Sequence, residues 1–236
     1  MNIIVTGASR GIGYELVKIV SADSTHTVIA VARNEAKLLH LKNACFNSNS
    51  VSKVIAIACD LSNENEIEKL LVEIQKHTDT IDVLINNAGA IVKKPFAEIT
   101  KTDLEYVYNV NVFSVIRLIQ GVLPMLNTKT KSHIVNISSI GGFQGSMKFS
   151  GLSAYSSSKA ALASLTECLA EEYKDSTIAF NCLALGAAQT EMLNEAFPGY
   201  QAPLSANEMA QFIANFSLTA QQYMNGKVIP VSLSNP

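Results

Sequence analysis

Asn2-Ile3-Ile4-Val5-Thr6-Gly7-Ala8-Ser9-Arg10-Gly11-Ile12-Gly13 opens the chain, and its reading governs everything downstream. Its first half is a short β-branched run, the pattern of a buried strand. Its second half spaces three glycines as G-x-x-x-G-x-G, and a helical pattern follows from Ile12 to about Ser21. Such a turn lets the backbone approach an anion at the positive end of the helix. A purely structural turn is the alternative. Three glycines at the first βα turn of a parallel sheet argue against it.

Outward from that stretch, apolar strand patterns recur at 27–32, 53–59, 81–85, 132–137, 177–183 and 226–231. Helical segments separate them. One runs over 34–44 with Asn34 as its cap, and one runs to His77 with Asn63 and Glu66 at its start. A long one runs to about Leu126 with Thr102 and Glu105 as a capping box. Another carries Tyr155 and ends near Tyr173, and a last one is capped by Ser205 with Glu208. Continuous apolar strands alternating with helices predict an α/β fold: one Rossmann-type, doubly wound domain over residues 1–236. Its seven-stranded, mostly parallel sheet is covered by helices on both faces. No repeat, low-complexity tract or linker interrupts it.

Composition narrows the function. The 236 residues are 48% hydrophobic and 16% charged, enough for a large core and apolar enough to suggest a subunit interface. A net charge of −2 gives no electrostatic reason to expect nucleic acid or an anionic membrane. No apolar run approaches 18 residues, so no membrane span is expected. Cys45, Cys59, Cys168 and Cys182 have no CxxC spacing, and no signal peptide precedes the first strand pattern. Reduced thiols in a cytoplasm are the expectation. Asn136-Ile137-Ser138 and Asn215-Phe216-Ser217 match a glycosylation acceptor by coincidence, the first as the end of a buried strand.

In open parallel sheets, ligands sit beyond the carboxyl ends of the strands, where the strand order switches. Gly7, Asp60, Asn86 to Gly89, and Ser138 with Ser139 all fall at such ends, from four strands. They therefore converge. At the end of the second strand, Ala32-Arg33-Asn34 stands where an acid would bind a ribose 2′-hydroxyl. Arg33 with Arg10 suits a 2′-phosphate instead, favouring NADP(H) over NAD(H), with two solvated arginines as the alternative. Asp60 reads either as a helix-initiating acid or as a contact to the adenine edge. Asn87 reads as a turn former or a buried amide tying strands together, and Ser139 as a carbonyl donor or a turn serine. Asn111, inside a long helix where asparagine has poor propensity, predicts a functional kink. His133 is read as a satisfied or exposed histidine without a role.

Ala154-Tyr155-Ser156-Ser157-Ser158-Lys159 carries the chemistry. Four residues apart on a helix, the phenol and ammonium share a face. An ammonium about 4 Å away contributes roughly 4 kcal/mol at a dielectric of about 20, enough to draw a phenol toward neutrality. Spacing alone decides little, because Tyr14/Lys18 and Tyr223/Lys227 repeat it.

Taken together, the turn 6–13, Asn86-Asn87-Ala88-Gly89, Asn111, Ser139 and Tyr155 with Lys159 resemble the short-chain dehydrogenase/reductase superfamily in its compact single-domain branch. The resemblance spans residues 1 to about 190. It implies a hydride-transfer site in which Tyr155 exchanges a proton with the substrate oxygen and Ser139 orients that oxygen. Lys159 would bind the nicotinamide ribose and depress the tyrosine pKa, while Asn111 would hold a water linking Lys159 to solvent. Cofactor contacts are implied at Gly7, Ser9, Arg10, Gly11, Ile12, Gly13, Arg33, Asp60, Leu61, Asn87, Ala88, Gly89, Tyr155, Lys159, Gly186 and Thr190. No metal is implied. The substrate would be a small carbonyl or alcohol compound, of apolar or mixed character. The chain would form a homodimer or homotetramer, packing the long helix from Thr102 and the Tyr155 helix across an axis.

Three departures stand out. Leu185-Gly186 replaces the usual Pro-Gly, the segment between Ser139 and Tyr155 is long and holds Met147, Lys148 and Phe149, and the last strand lacks Asp-Gly-Gly. Met192, Phe197 and Tyr200 lie in a candidate substrate lid at about 190–210, or are core residues of a short helix. A non-catalytic NADP(H)-binding sensor is the alternative function, against which the retained catalytic set argues. Epimerisation or dehydration is disfavoured, because the compact C-terminal part leaves no room for a sugar-nucleotide domain.

Overall fold

The computed structural model describes residues 1–233; the last three residues of the 1–236 span lie outside the described residues. In chain order, β1 (Asn2–Thr6) leads through the glycine turn into α1 (Gly11–Val20), then β2 (Thr27–Ala32) into α2 (Glu35–Ser48). β3 (Lys53–Ala58), α3 (Glu64–His77) and β4 (Val83–Asn86) follow, then α4 (Lys101–Tyr108) and α5 (Ser114–Val122). β5 (Ser132–Ser139), α6 (Ser153–Glu172) and β6 (Ile178–Leu185) complete the site-bearing half. A short ribbon of β7 (Ala188–Gln189) with β8 (Leu204–Ser205) brackets α7 (Glu191–Ala196), before α8 (Ala206–Thr219) and β9 (Lys227–Val231).

The seven-stranded sheet runs β3-β2-β1-β4-β5-β6-β9, and every pairing in it is parallel. The doubly wound architecture read from the sequence is therefore present, wholly rather than mostly parallel in that sheet. One face packs α1, α2 and α8 through Leu16, Leu38 and Ile213; the other packs α3, α5 and α6 through Leu70, Leu118 and Leu162. The order of strand addition switches sides between β1 and β4, which opens a crevice at their carboxyl ends.

Local signals hold with two shifts. Asn34 caps α2 by accepting from Lys37 N, Asn63 caps α3 by accepting from Asn65 N, and Ser205 with Glu208 forms a reciprocal capping box. The box expected at Thr102/Glu105 instead forms at Thr100/Asp103, so α4 begins earlier. Both pairs have the required spacing, but only Asp103 also receives Lys94 Nζ, at 2.7 and 2.8 Å. β5 and β6 each run past their expected ends because they pair with one another as far as Ser139 and Leu185. That extension carries Ser139 to the crevice.

The helical run 101–125 is long and apolar enough to pass a membrane-span test by length and composition, with a mean hydropathy of 1.2. The sequence expectation missed it because scattered charges interrupt the apolar string. Half of that window is buried inside the protein, and Val115, Leu118 and Ile119 belong to the core.

Candidate active site

A cleft of about 790 Å³ lies over the carboxyl ends of the central strands. Every residue named above as a cofactor contact, from Gly7 to Thr190, lines it, together with Ser139. Its floor is the glycine turn. Gly7 sits at φ +69°, and a Cβ on Gly13 would stand 2.3 Å from the Gly7 carbonyl oxygen and 2.5 Å from Asn87 Nδ2. Only glycine lets α1 lie this close to β1. Helix α1 also starts without a side-chain cap and without an acid in its first turn, whereas α2, α3, α4 and α8 are all capped by side chains. Bare N–H groups at a helix start, facing a cleft, make an anion site.

Thr6, which the sequence reading passed over, fixes that floor. Its Oγ1 accepts from Asn87 N and Ala88 N, both at 3.0 Å. Asn87 Nδ2 donates to Thr6 O at 2.9 Å, so Asn87 is a tie between β1 and β4 as well as a cleft residue. The signal available was a hydroxyl residue immediately before the first glycine.

On the far side of the cleft stand Ser139, Tyr155 and Lys159. β5 delivers Ser139 and the first turn of α6 delivers Tyr155, both half-buried, with Ser139 hydrogen-bonded to the phenol. Burial raises the Tyr155 pKa above its ordinary value, and that hydrogen bond pulls it back. Lys159 is 3% exposed and donates from Nζ to Ile137 O at 2.8 Å. Burial drives its pKa down to about 8. The expected depression of the phenol by a neighbouring ammonium is absent in this arrangement: desolvation raises the phenol's pKa, and the amine is turned to a backbone carbonyl.

Asn111 does not line the cleft. It is fully buried, with Oδ1 accepting from Ala90 N at 2.7 Å and Nδ2 donating to Ala90 O and Ser158 Oγ, both at 2.9 Å. The kink expected there exists: Asn109–Phe113 is a π-helical turn between α4 and α5. A Cβ on Gly89 would lie 3.4 Å from Lys159 Nζ and 3.5 Å from Asn111 Oδ1, so Asn111 stands directly behind the lysine. Its partner Ser158 was not singled out from the sequence.

Toward the mouth, Arg33 is exposed with no ion-pair partner among the described residues, and Lys37, one turn further on, lines the same cleft. Arg10 is held by Glu195 instead of standing free. Asp60 Oδ1 accepts from Ser62 N at 2.9 Å, so it is a turn acid before α3 that also borders the cleft. Leu185 is buried in the core, and Gly186 N donates to Val231 O at 2.8 Å, which fixes the backbone where proline was expected. Met192, Phe197 and Tyr200 all border the cleft and are not core residues. Phe149 meets Phe197 edge-on, with ring centroids 6.4 Å apart, while Lys93 Nζ lies 4.0 Å from the Phe197 centroid and donates to Ala196 O at 2.9 Å. Two loops and α7 therefore close over this end of the cleft.

The family model described as short chain dehydrogenase matches residues 1–201. The chain belongs to the short-chain dehydrogenase family. The chain is 32% identical to the 3-oxoacyl-[acyl-carrier-protein] reductase FabG of Aquifex aeolicus, covering 97% of this chain and 94% of that one. It is 33% identical to a fatty acyl-CoA reductase of Acinetobacter baylyi over 80% of its own length, but spans only 63% of that protein. The Pseudomonas aeruginosa RhlG/NADP active-site complex superposes with a TM-score of 0.84 at 28% identity, covering 98% of this chain and 94% of that one.

The residues present fit a nicotinamide dinucleotide. The uncapped α1 start and the space kept by Gly7 and Gly13 suit a pyrophosphate. Arg33, with no ion-pair partner among the described residues, stands just past β2, where the chain carries no acid. The same cleft is also lined by the apolar side chains Ile91, Val110, Leu152 and Phe197.

Proposed function

We propose that this short-chain dehydrogenase is an NADP(H)-dependent carbonyl reductase, or the reverse alcohol dehydrogenase, with Tyr155 as its general acid and base. The observation that carries this reading is the meeting of Ser139, Tyr155 and Lys159 in the one cleft whose floor is the glycine turn. When bound, the cofactor supplies or accepts a hydride; the chain supplies placement and the proton. Gly7, Ser9, Gly11, Ile12 and Gly13 would hold the pyrophosphate, with Asn87, Ala88 and Gly89 bordering the ribose. Arg33 and Arg10 would take the 2′-phosphate, Asp60 and Leu61 the adenine side, and Gly186 and Thr190 the carboxamide side.

Tyr155 gives its phenolic proton to the substrate oxygen in reduction and takes it back in oxidation. Ser139 orients that oxygen and stabilises the phenolate left behind. Lys159, released from Ile137 O, would turn to the ribose hydroxyls and place its charge beside the phenolate, lowering a pKa that burial otherwise raises. Asn111 holds the Ala90 backbone behind Lys159 and borders the path for its proton. Ile91, Val110, Leu152, Met192 and Phe197 line the substrate end, supporting an apolar or mixed carbonyl compound, with 190–210 as a lid.

Exposed Leu104 and Tyr106 on α4, with Phe113 on the π-helical turn that follows, support a homodimer or homotetramer. Four free cysteines, three of them buried, support a cytoplasmic setting. The test of function is NADPH oxidation across a panel of ketones and aldehydes graded by chain length. Turnover favouring the apolar members is expected; cofactor binding without turnover on any of them would overturn the reading.

A further inference from the structure

The one arginine of the glycine turn is already occupied. Arg10 Nη1 lies 2.5 Å from Glu195 Oε1 and Nη2 lies 3.4 Å from Oε2, a two-pronged pair linking the turn to α7. Glu191, one turn earlier on α7, brings a second carboxylate to the same place: its Oε2 stands 3.5 Å from where a Gly11 Cβ would be. Arg33 and Lys37 border the same end of the cleft. Two carboxylates of α7 thus stand against Arg10, with Lys37 close enough to act on Glu195 and Arg33 lining the same cleft.

An entering phosphate dianion and Glu195 cannot both have the Arg10 fork. Each needs the same planar donors, and a carboxylate beside the phosphate would repel it. The side chain of Glu195 is 60% exposed, so once displaced it returns to water at little cost. We infer that Glu195 is a specificity-determining residue: its carboxylate competes with the 2′-phosphate for Arg10 and narrows the preference for NADP(H) over NAD(H). NADH, lacking that phosphate, leaves the pair in place. The inference rests on the NADP(H) reading above and adds α7 to the elements that set cofactor choice. It also couples the two ends of the cleft, since α7 carries Met192 toward the substrate and Glu195 toward the phosphate.

Dissociation constants for NADPH and NADH, measured by fluorescence titration at constant ionic strength, test it with Glu195→Gln, Arg10→Ala, the double variant and Arg33→Ala. Glu195→Gln should tighten NADPH by roughly two- to fivefold, the range an exposed ion pair allows, and leave NADH unchanged. In the Arg10→Ala background the same substitution should do nothing. Equal tightening of both cofactors, or an effect that survives without Arg10, would mean general repulsion and overturn the competition. No change in NADPH affinity, while Arg33→Ala still weakens NADPH selectively, would sink the Glu195 inference and leave the NADP(H) reading standing. Should Arg33→Ala and Arg10→Ala weaken both cofactors equally, the NADP(H) reading falls and the competition falls with it.

Discussion

Three tyrosines have a lysine four residues on, and the surroundings of each pair decide its chemistry. Lys18 Nζ lies 5.5 Å from the Tyr14 ring centroid and bonds Glu15, an ordinary helix-surface arrangement. Tyr223 is 86% exposed. Only Tyr155 and Lys159 stand in the cleft, beside Ser139. The sequence alone marks this pair by what precedes it. It misjudges the sign of the phenol's shift, because spacing conveys proximity but not desolvation or the rival acceptor Ile137 O. In the proposed mechanism Ser139 orients the substrate oxygen, so Ser139→Ala should lower kcat by roughly a hundredfold with little change in NADPH affinity. A comparable loss of NADPH affinity, measured by titration, would assign Ser139 to the cofactor instead.

At the scale of elements, the site depends on where strands end and how one helix is interrupted. The β-branched runs place Gly7, Asn87 and Ser139 at adjacent strand ends, and this was legible because a buried parallel strand is a continuous apolar string. The helix interruption was legible from the low propensity of asparagine. Its purpose was not, since Ala90 and Ser158 lie 21 and 47 residues from Asn111. The start of α4 was misplaced for a related reason: two capping boxes compete locally, and Lys94 selects between them through a tertiary contact. Asn111→Leu would leave both Ala90 backbone groups buried and unpaired. A destabilisation of about 2–4 kcal/mol in denaturant unfolding is expected, with turnover lost in the fraction that remains folded. Unchanged stability would mean that Ala90 finds other partners.

Across the whole molecule, α8 is stapled to the sheet by groups that do not line the cleft. His133 is fully buried, donating from Nδ1 to Ser217 O at 2.9 Å while Asn181 Nδ2 donates to its Nε2 at 2.9 Å. Burial lowers its pKa from 6.5 to about 4. Above 6.5 the ring is neutral in both states. Between 6.5 and 4 the unfolded chain binds a proton that the folded one refuses, so stability falls as pH falls through that window. The loss approaches about 3 kcal/mol near pH 4. His133→Gln should flatten that part of the stability profile, whereas an unchanged slope would assign the acid sensitivity elsewhere. The sequence reading of a satisfied histidine fits this network, though nothing in the local pattern could name Ser217, 84 residues away.

The central claim is that Tyr155 moves the proton while the rest of the cleft holds cofactor and substrate. It is tested most directly by single-turnover NADPH oxidation with the best carbonyl substrate, comparing the native chain with Tyr155→Phe at matched cofactor occupancy. The phenylalanine variant should bind NADPH as tightly and oxidise it at least about a hundredfold more slowly. Oxidation within a few fold of the native rate would contradict the account.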